Sequence, residues 1–222
     1  MKPTVFSLAM LALAPFCVSM HAASITIANP SFESPATAPS NNVPASLIDG
    51  WTLEGPGSVG VWNIIPGGFY SVGAPVGSQI AFLGGASAGL GTAISQILSD
   101  TLEANTIYSL SGFIGHPVGF GPSTGTTFTA QLFAGATLLS TLTTTGPTGS
   151  FSPFALNFDS TGSPAIGQPL KVRFSTNQPQ VGIDGITLNT VPEPTTGEGV
   201  YRGRGQSVHR CKKAMDSPAP ER

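Results

Sequence analysis

Thr127-Phe128-Thr129-Ala130-Gln131-Leu132 and Leu170-Lys171-Val172-Arg173-Phe174-Ser175 are the two stretches that decide the fold. In each, apolar and polar residues alternate with a period of two. An extended backbone turns such an alternation into one buried face and one wet face. Phe154-Ala155-Leu156-Asn157-Phe158-Asp159 repeats the pattern. A helix would need its apolar residues every three or four positions, and no stretch of three turns shows that. Less regular apolar runs at Ile25–Ala28, Val59–Ile64, Gln79–Leu83, Ala93–Leu98, Ile107–Ile114 and Val181–Leu188 bring the expected number of short strands to about nine.

Composition supports the same reading. The 222 residues include 28 Gly and 20 Pro, which favour turns over helix interiors. Charged residues make up 9% and hydrophobic ones 40%, enough apolar surface for a core. The expected fold is all-β, an antiparallel β-sandwich of two packed sheets spanning residues 24–190. Within that span Lys171 and Arg173 are the only basic residues, against Glu33, Asp49, Glu54, Asp100, Glu103, Asp159 and Asp184. A surface with so few cations cannot bind a phosphate backbone by releasing counterions, so nucleic acid is not an expected partner.

The ends of the chain differ from the middle. Residues 1–23 start with Met1-Lys2, continue through the apolar run Val5–Met20 and end in small residues, as a secretory signal peptide does. The run is short for a span of ~20 residues, so cleavage rather than anchoring is expected. Cys17 falls in this leader and Cys211 in the last segment, which leaves the sandwich without thiols or disulfides. Residues 191–222 gather Arg202, Arg204, Arg210, Lys212, Lys213 and Arg222 among few apolar residues and read as a disordered basic tail.

Two stretches resemble known families. Val191-Pro192-Glu193-Pro194 resembles the start of a PEP-CTERM sorting signal, found in Gram-negative bacteria that make exopolysaccharide and processed there by an exosortase. That family continues into a membrane span. Here Gly197-Glu198-Gly199-Val200 follows without one, so an exosortase is an expected partner only of an intact signal. Asn29-Pro30-Ser31-Phe32-Glu33, Gly50-Trp51, Ile94-Ser95-Gln96-Ile97-Leu98 and Ile183-Asp184-Gly185-Ile186 together resemble galactose-binding-like jelly rolls, including carbohydrate-binding modules. The resemblance covers roughly 24–189. It implies a structural calcium held by Glu33 and Asp184; as residues alone, these two equally read as carboxylates that cap turns and bind backbone amides.

The resemblance also implies a polysaccharide ligand, which needs aromatic faces for sugar rings. Trp62 and Tyr70, beside the turn Pro66-Gly67-Gly68, are the expected exposed binding residues, while Trp51 and Tyr108 read as core. Catalysis finds little support in the residues. Gly-x-Ser-x-Gly occurs around Ser87 and Ser123 without the strand–turn–helix context of a nucleophile elbow. His116 is the one histidine of the sandwich and reads as a solvated loop residue. The expectation is a non-catalytic, secreted or cell-surface protein of the exopolysaccharide matrix. The alternatives are a structural spacer without ligand, or an esterase or glycoside hydrolase.

Overall fold

The alternating stretches become strands, and their apolar faces meet between two antiparallel sheets. The computed structural model describes residues 22–44, 48–84, 91–120, 127–177 and 180–192. The larger sheet runs β10 (Phe151–Asp159), β7 (Thr106–Gly115), β12 (Val181–Pro192), β5 (Gln79–Gly84), β4 (Ser58–Asn63) and β2 (Asn42–Pro44), with β1 (Ala23–Ile25) on the C-terminal half of β12. The smaller runs β3 (Thr52–Glu54), β6 (Thr92–Thr101), β11 (Pro169–Thr176), β8 (Phe128–Ala134) and β9 (Thr137–Thr144). Among the described residues there is no helix, so the expected β-sandwich of jelly-roll type is the observed fold.

Alternation decides which side chains enter the core. Phe128, Ala130 and Leu132 of β8 and Leu170, Val172 and Phe174 of β11 are all 0% exposed. From the opposite sheet Phe154 and Leu156 of β10 close on them. The rings of Phe128 and Phe174 stack at 5.8 Å, and Phe154 tilts against Phe128 at 5.1 Å. Tyr108 is buried here as expected, its hydroxyl accepting the Glu103 N–H at 2.7 Å. Half-buried Trp51 packs on Phe32 and Phe174 and donates its indole N–H to the Asn29 carbonyl at 3.2 Å.

Three strands depart from the sequence expectation: β2 and β3, with three residues each, and β9. Strand β9 reads Thr-Leu-Leu-Ser-Thr-Leu-Thr-Thr and lies at the edge of its sheet, where Leu138 is exposed and Leu139 and Leu142 only lean on the core. An edge strand needs no strict alternation, which is why its sequence hides it. Strand β12 runs to Pro192, so Val191 and Pro192 of the stretch that resembles a sorting motif belong to the sheet. Glu193, Pro194, the tail, Ser87, Ser123 and leader residues 1–21 lie outside the described residues.

The outer face of the smaller sheet gathers both basic residues around one acid. Glu54 accepts from Arg173 Nε at 2.6 Å and Ser95 Oγ at 2.6 Å, and lies 3.6 Å from Lys171 Nζ. Burial alone would raise its pKa, but the bonds from Ser95 and Arg173 and the two positive charges outweigh that and lower it. One carboxylate thus serves two cations, and the cluster keeps a single net positive charge.

Phe174→Ala should destabilise the protein by about 3–5 kcal/mol in urea denaturation. Ile97→Ala, at a side chain 72% exposed on the other face of the same sheet, should stay within about 0.5 kcal/mol.

Candidate active site

A single extra residue in β12 creates the site. Asp184 pairs with Phe113 of β7, but Thr187 pairs with Ser111, so three steps on β12 match two on β7. Gly185 absorbs this β-bulge with φ +59°. Its consequence is a change of parity. Val181 and Ile183 point into the core before the bulge, Ile186 and Leu188 after it. Gly182 and Asp184 therefore face outward from the larger sheet, away from the main core.

That outer face is bare in the middle. In register across the sheet stand Phe151, Gly115, Gly182, Phe82 and Gly60. Tyr70 lies in the trough that the glycines leave. A Cβ on Gly182 would stand 2.5 Å from the Tyr70 hydroxyl and 2.8 Å from Ile80 Cδ1. The Tyr70 ring stacks on Phe151 at 4.6 Å and meets the edge of Trp62 at 6.0 Å. It is 1% exposed, and its hydroxyl has no hydrogen-bond partner among the described residues. Burial pushes the phenol well above its usual pKa, so Tyr70 is a neutral donor at any working pH.

Beyond Tyr70 the same face opens into an aromatic cleft. Trp62 and Phe69 approach at 5.3 Å, Phe69 and Phe120 at 5.1 Å, and Trp62 and Phe120 at 6.5 Å. A cavity of about 120 Å³ lies among Trp62, Ile64, Ile65, Phe69 and Tyr70. A larger one of about 360 Å³ adjoins it, walled by Ser58, Trp62, Phe69, Phe82, Phe120 and Gln180. Phe69 is 47% and Phe120 36% exposed. Among the described residues no charged side chain borders either cavity, so the cleft suits a neutral, largely apolar ligand.

Asp184 sits on the cleft face but is 0% exposed. Its Oδ2 accepts the Val76 N–H at 2.7 Å and its Oδ1 the Gly185 N–H at 2.6 Å. Glu33 grips the same segment, accepting from Ser78 N at 2.9 Å, Ser78 Oγ at 3.0 Å and Gln79 N at 2.8 Å. Together the two carboxylates clamp residues 76–79. Burial pushes the Asp184 carboxyl up, the two amide bonds pull it down, and the Glu33 charge adds to the rise; the result is about 7. A protonated carboxyl near neutral pH is the property of a general acid.

The structure brings the expected residues together but not in the expected state. Trp62 and Tyr70 were expected to stand exposed, yet they are 9% and 1% exposed and form the floor of the cleft. The glycine trough draws Tyr70 inward, which no local pattern around Pro66-Gly67-Gly68 announces. Glu33 and Asp184 do converge. His116, expected in solvent, is 1% exposed with Nδ1 2.7 Å from the Gln180 carbonyl. Sequence reasoning missed Gln180 as a cleft residue and the raised pKa of Asp184. The Ile-Asp-Gly-Ile pattern of a bulged strand was the available signal for the last.

Comparison with known proteins changes the functional class. The model of the HpiC1-like family, described as HpiC1 cyclase, matches residues 23–189. A crystal structure of the Stig cyclase Fisc from Fischerella sp. TAU, bound to (3Z)-3-(1-methyl-2-pyrrolidinylidene)-3H-indole, is similar at 25% identity and a TM-score of 0.70. The likeness covers 78% of this chain and 100% of that one. A cyclase from Fischerella sp. TAU, in complex with 4-(1H-indol-3-yl)butan-2-one, matches at 25% identity and a TM-score of 0.69, covering 78% of this chain and 100% of that one. An arabinose-bound α-L-arabinofuranosidase matches at 12% identity and a TM-score of 0.55 over 76% of this chain and 26% of its own, which shows the fold alone. No curated protein sequence matches. The expected non-catalytic matrix protein, whether a glycan-binding module or a spacer, is thereby overturned, and so is the expectation that the chain is not an enzyme. Jelly rolls host many functions, and the fold resemblance had been read as if it carried a ligand class. The match across the whole sandwich shows that the chain belongs to the HpiC1-like cyclase family.

Proposed function

We propose that this protein is a cyclase that folds a neutral, aromatic substrate into the Trp62–Phe69–Phe120 cleft and starts ring closure with a proton from Asp184. The observation that carries the proposal is a buried carboxyl with a pKa of about 7 on the outer face of the larger sheet, the face that also carries Trp62, Tyr70 and the cleft. The ligands of the two related cyclases are indoles. The rings of Trp62, Phe69 and Phe120 pack on one another and offer an aromatic surface to such a flat ring, by edge-to-face and offset contacts.

Internal cyclisation is an isomerisation, so its proton balance closes without a co-reactant. Asp184 lends a proton to an unsaturated carbon, and a π bond of the same substrate closes on the cation. The carboxylate then takes a proton back as the ring cation loses one. Tyr70 contributes a neutral hydroxyl with no competing protein partner. The apolar walls keep water from trapping the cation.

Calcium, the cofactor expected from the sequence, belongs to the same proposal, with Glu33 and Asp184 as the residues that would hold it. Two neighbouring carboxylates without an ion-paired cation, among the described residues, support this. Calcium takes about six to eight oxygens, so carbonyls of the adjoining turns would complete its set. The ion would brace the 76–79 segment and draw the Asp184 pKa down, so calcium binding and the acid role exclude each other, and the acid form belongs to the calcium-free protein. Export is also part of the proposal, supported by the apolar leader of residues 1–23.

Asp184→Asn should lower turnover by about 10²–10⁴-fold while the fold is kept. In the wild type, activity should be full below pH 7 and fall as the pH rises through about 7, because the acid form is the active one. Loss of the variant's fold, or unchanged turnover, would remove Asp184 from the mechanism. A separate consequence concerns stability. Between the ordinary carboxyl value of 3.8 and about 7, the native state holds a proton that the unfolded chain releases. The stability contribution of Asp184 therefore declines as pH rises across that window, and Asp184→Asn should flatten the decline in urea titrations. For calcium, a chelator should lower the melting temperature of the wild type but not of Glu33→Gln; identical curves with and without chelator would exclude the ion.

A further inference from the structure

Several segments that build the cleft meet at His116. Its backbone N–H donates to the Pro147 carbonyl at 2.9 Å, and its carbonyl accepts the Gly149 N–H at 2.7 Å. The Gly149 carbonyl in turn accepts Ser71 N at 2.7 Å and Ser71 Oγ at 2.8 Å, next to Tyr70. Two residues on from His116, the Val118 N–H donates to the Phe69 carbonyl at 2.9 Å. The imidazole adds the link to β12. Its Nδ1 lies 2.7 Å from the Gln180 carbonyl, which can only accept, so Nδ1 carries the proton. Its Nε2 is buried and makes no bond.

Gln180 is where this clasp reaches the ligand space. It borders the larger cavity, whose other walls are aromatic rings and the small hydroxyls of Ser40 and Ser58. Its carboxamide has no hydrogen-bond partner among the described residues. An amide offers a donor and an acceptor from one rigid group, which a serine hydroxyl on a short stem does not match in reach. In an otherwise aromatic cavity, one such group sets which way round a ligand lies.

We infer that Gln180 orients the substrate by a hydrogen bond to its polar group, a ring N–H or a carbonyl, and that His116 is the positioning residue that holds Gln180 in place. This rests on the reading of the cleft as the substrate site. Stacking against Trp62, Phe69 and Phe120 tolerates a flipped ring, so the carboxamide supplies the direction that the aromatic walls lack. His116 acts on the Gln180 backbone and not on its side chain. The two contributions are therefore separable by substitution.

The experiment is calorimetric binding of 4-(1H-indol-3-yl)butan-2-one to the full chain and to four variants, with melting temperatures alongside. Gln180→Leu keeps the backbone carbonyl and removes the amide; binding should weaken up to about tenfold with the melting temperature unchanged. His116→Asn places an amide nitrogen where Nδ1 stands and should bind like the wild type. His116→Gln places it where Nε2 stands, loses the clasp, and should weaken binding by a similar factor. Asp184→Asn should bind normally, its loss appearing in turnover alone. Equal or tighter binding by Gln180→Leu overturns the orienting role, and His116→Asn no better than His116→Gln overturns the positioning role. Should the histidine variants fail to fold, Gln180→Leu still decides the first claim. A wild type that does not bind the indole ketone overturns the cleft reading and this inference with it.

Discussion

A tyrosine ring can lie flat on a β-sheet only where the strands beneath it carry no side chains, and everything on the working face of this molecule follows from that. Gly115 and Gly182 stand side by side in register on β7 and β12. Tyr70 occupies the space above Gly182 and its stacking partner Phe151 that above Gly115, with Trp62 at the edge of the tyrosine ring. A methyl group at position 182 would drive into the hydroxyl. The rigid ring in turn gives Trp62 a back wall, and Trp62 gives Phe69 and Phe120 theirs. A sheet face that would ordinarily be wet thus becomes a second apolar cluster, separate from the core between the sheets.

The second constraint is the bulge at Asp184-Gly185-Ile186. Without the additional residue, strict alternation would leave Ile186 on the outer face with Asp184. With it, both isoleucines reach the core and the acid stays outside it. The segment 76–79, clamped by Glu33 and Asp184, then covers the carboxyl. Covered, it can no longer be solvated as an anion, and its pKa rises. One local irregularity in a strand thereby links the fold's hydrophobic pattern to the chemistry proposed for the site.

Much of the fold was legible. Phe128-Thr129-Ala130, Phe154-Ala155-Leu156 and Leu170-Lys171-Val172 declared their buried faces, because each lies inside its sheet or against the core, where a period-two pattern is enforced. Strands β2, β3 and β9 were not legible, because short or edge strands are under no such pressure. The site was legible only in fragments. Glu33 and Asp184 emerged as a pair, and Trp62 and Tyr70 as binding residues, but the state of each depended on neighbours far away in sequence. Tyr70 is buried because of the glycine at position 182 and the Phe151 ring that Gly115 admits beside it, and His116 because of the carbonyl at 180. Asp184 is an acid rather than a simple turn cap because Val76–Gln79 closes over it. None of these relations is local, and an all-β chain makes most of its contacts at long range.

The reading of the chain as non-catalytic failed for a related reason. The residues offer no nucleophile elbow and a single histidine in the sandwich, while the chemistry proposed for the cleft needs one perturbed carboxyl and a shaped apolar wall. Such a site leaves almost no motif in a sequence. The central claim is therefore about a single proton. Carbon-13 NMR titration of the labelled Asp184 carboxyl, assigned by its absence in Asp184→Asn, measures it directly. The account predicts a midpoint near 7 in the folded protein. A midpoint near the ordinary carboxylate value of 3.8 would contradict it.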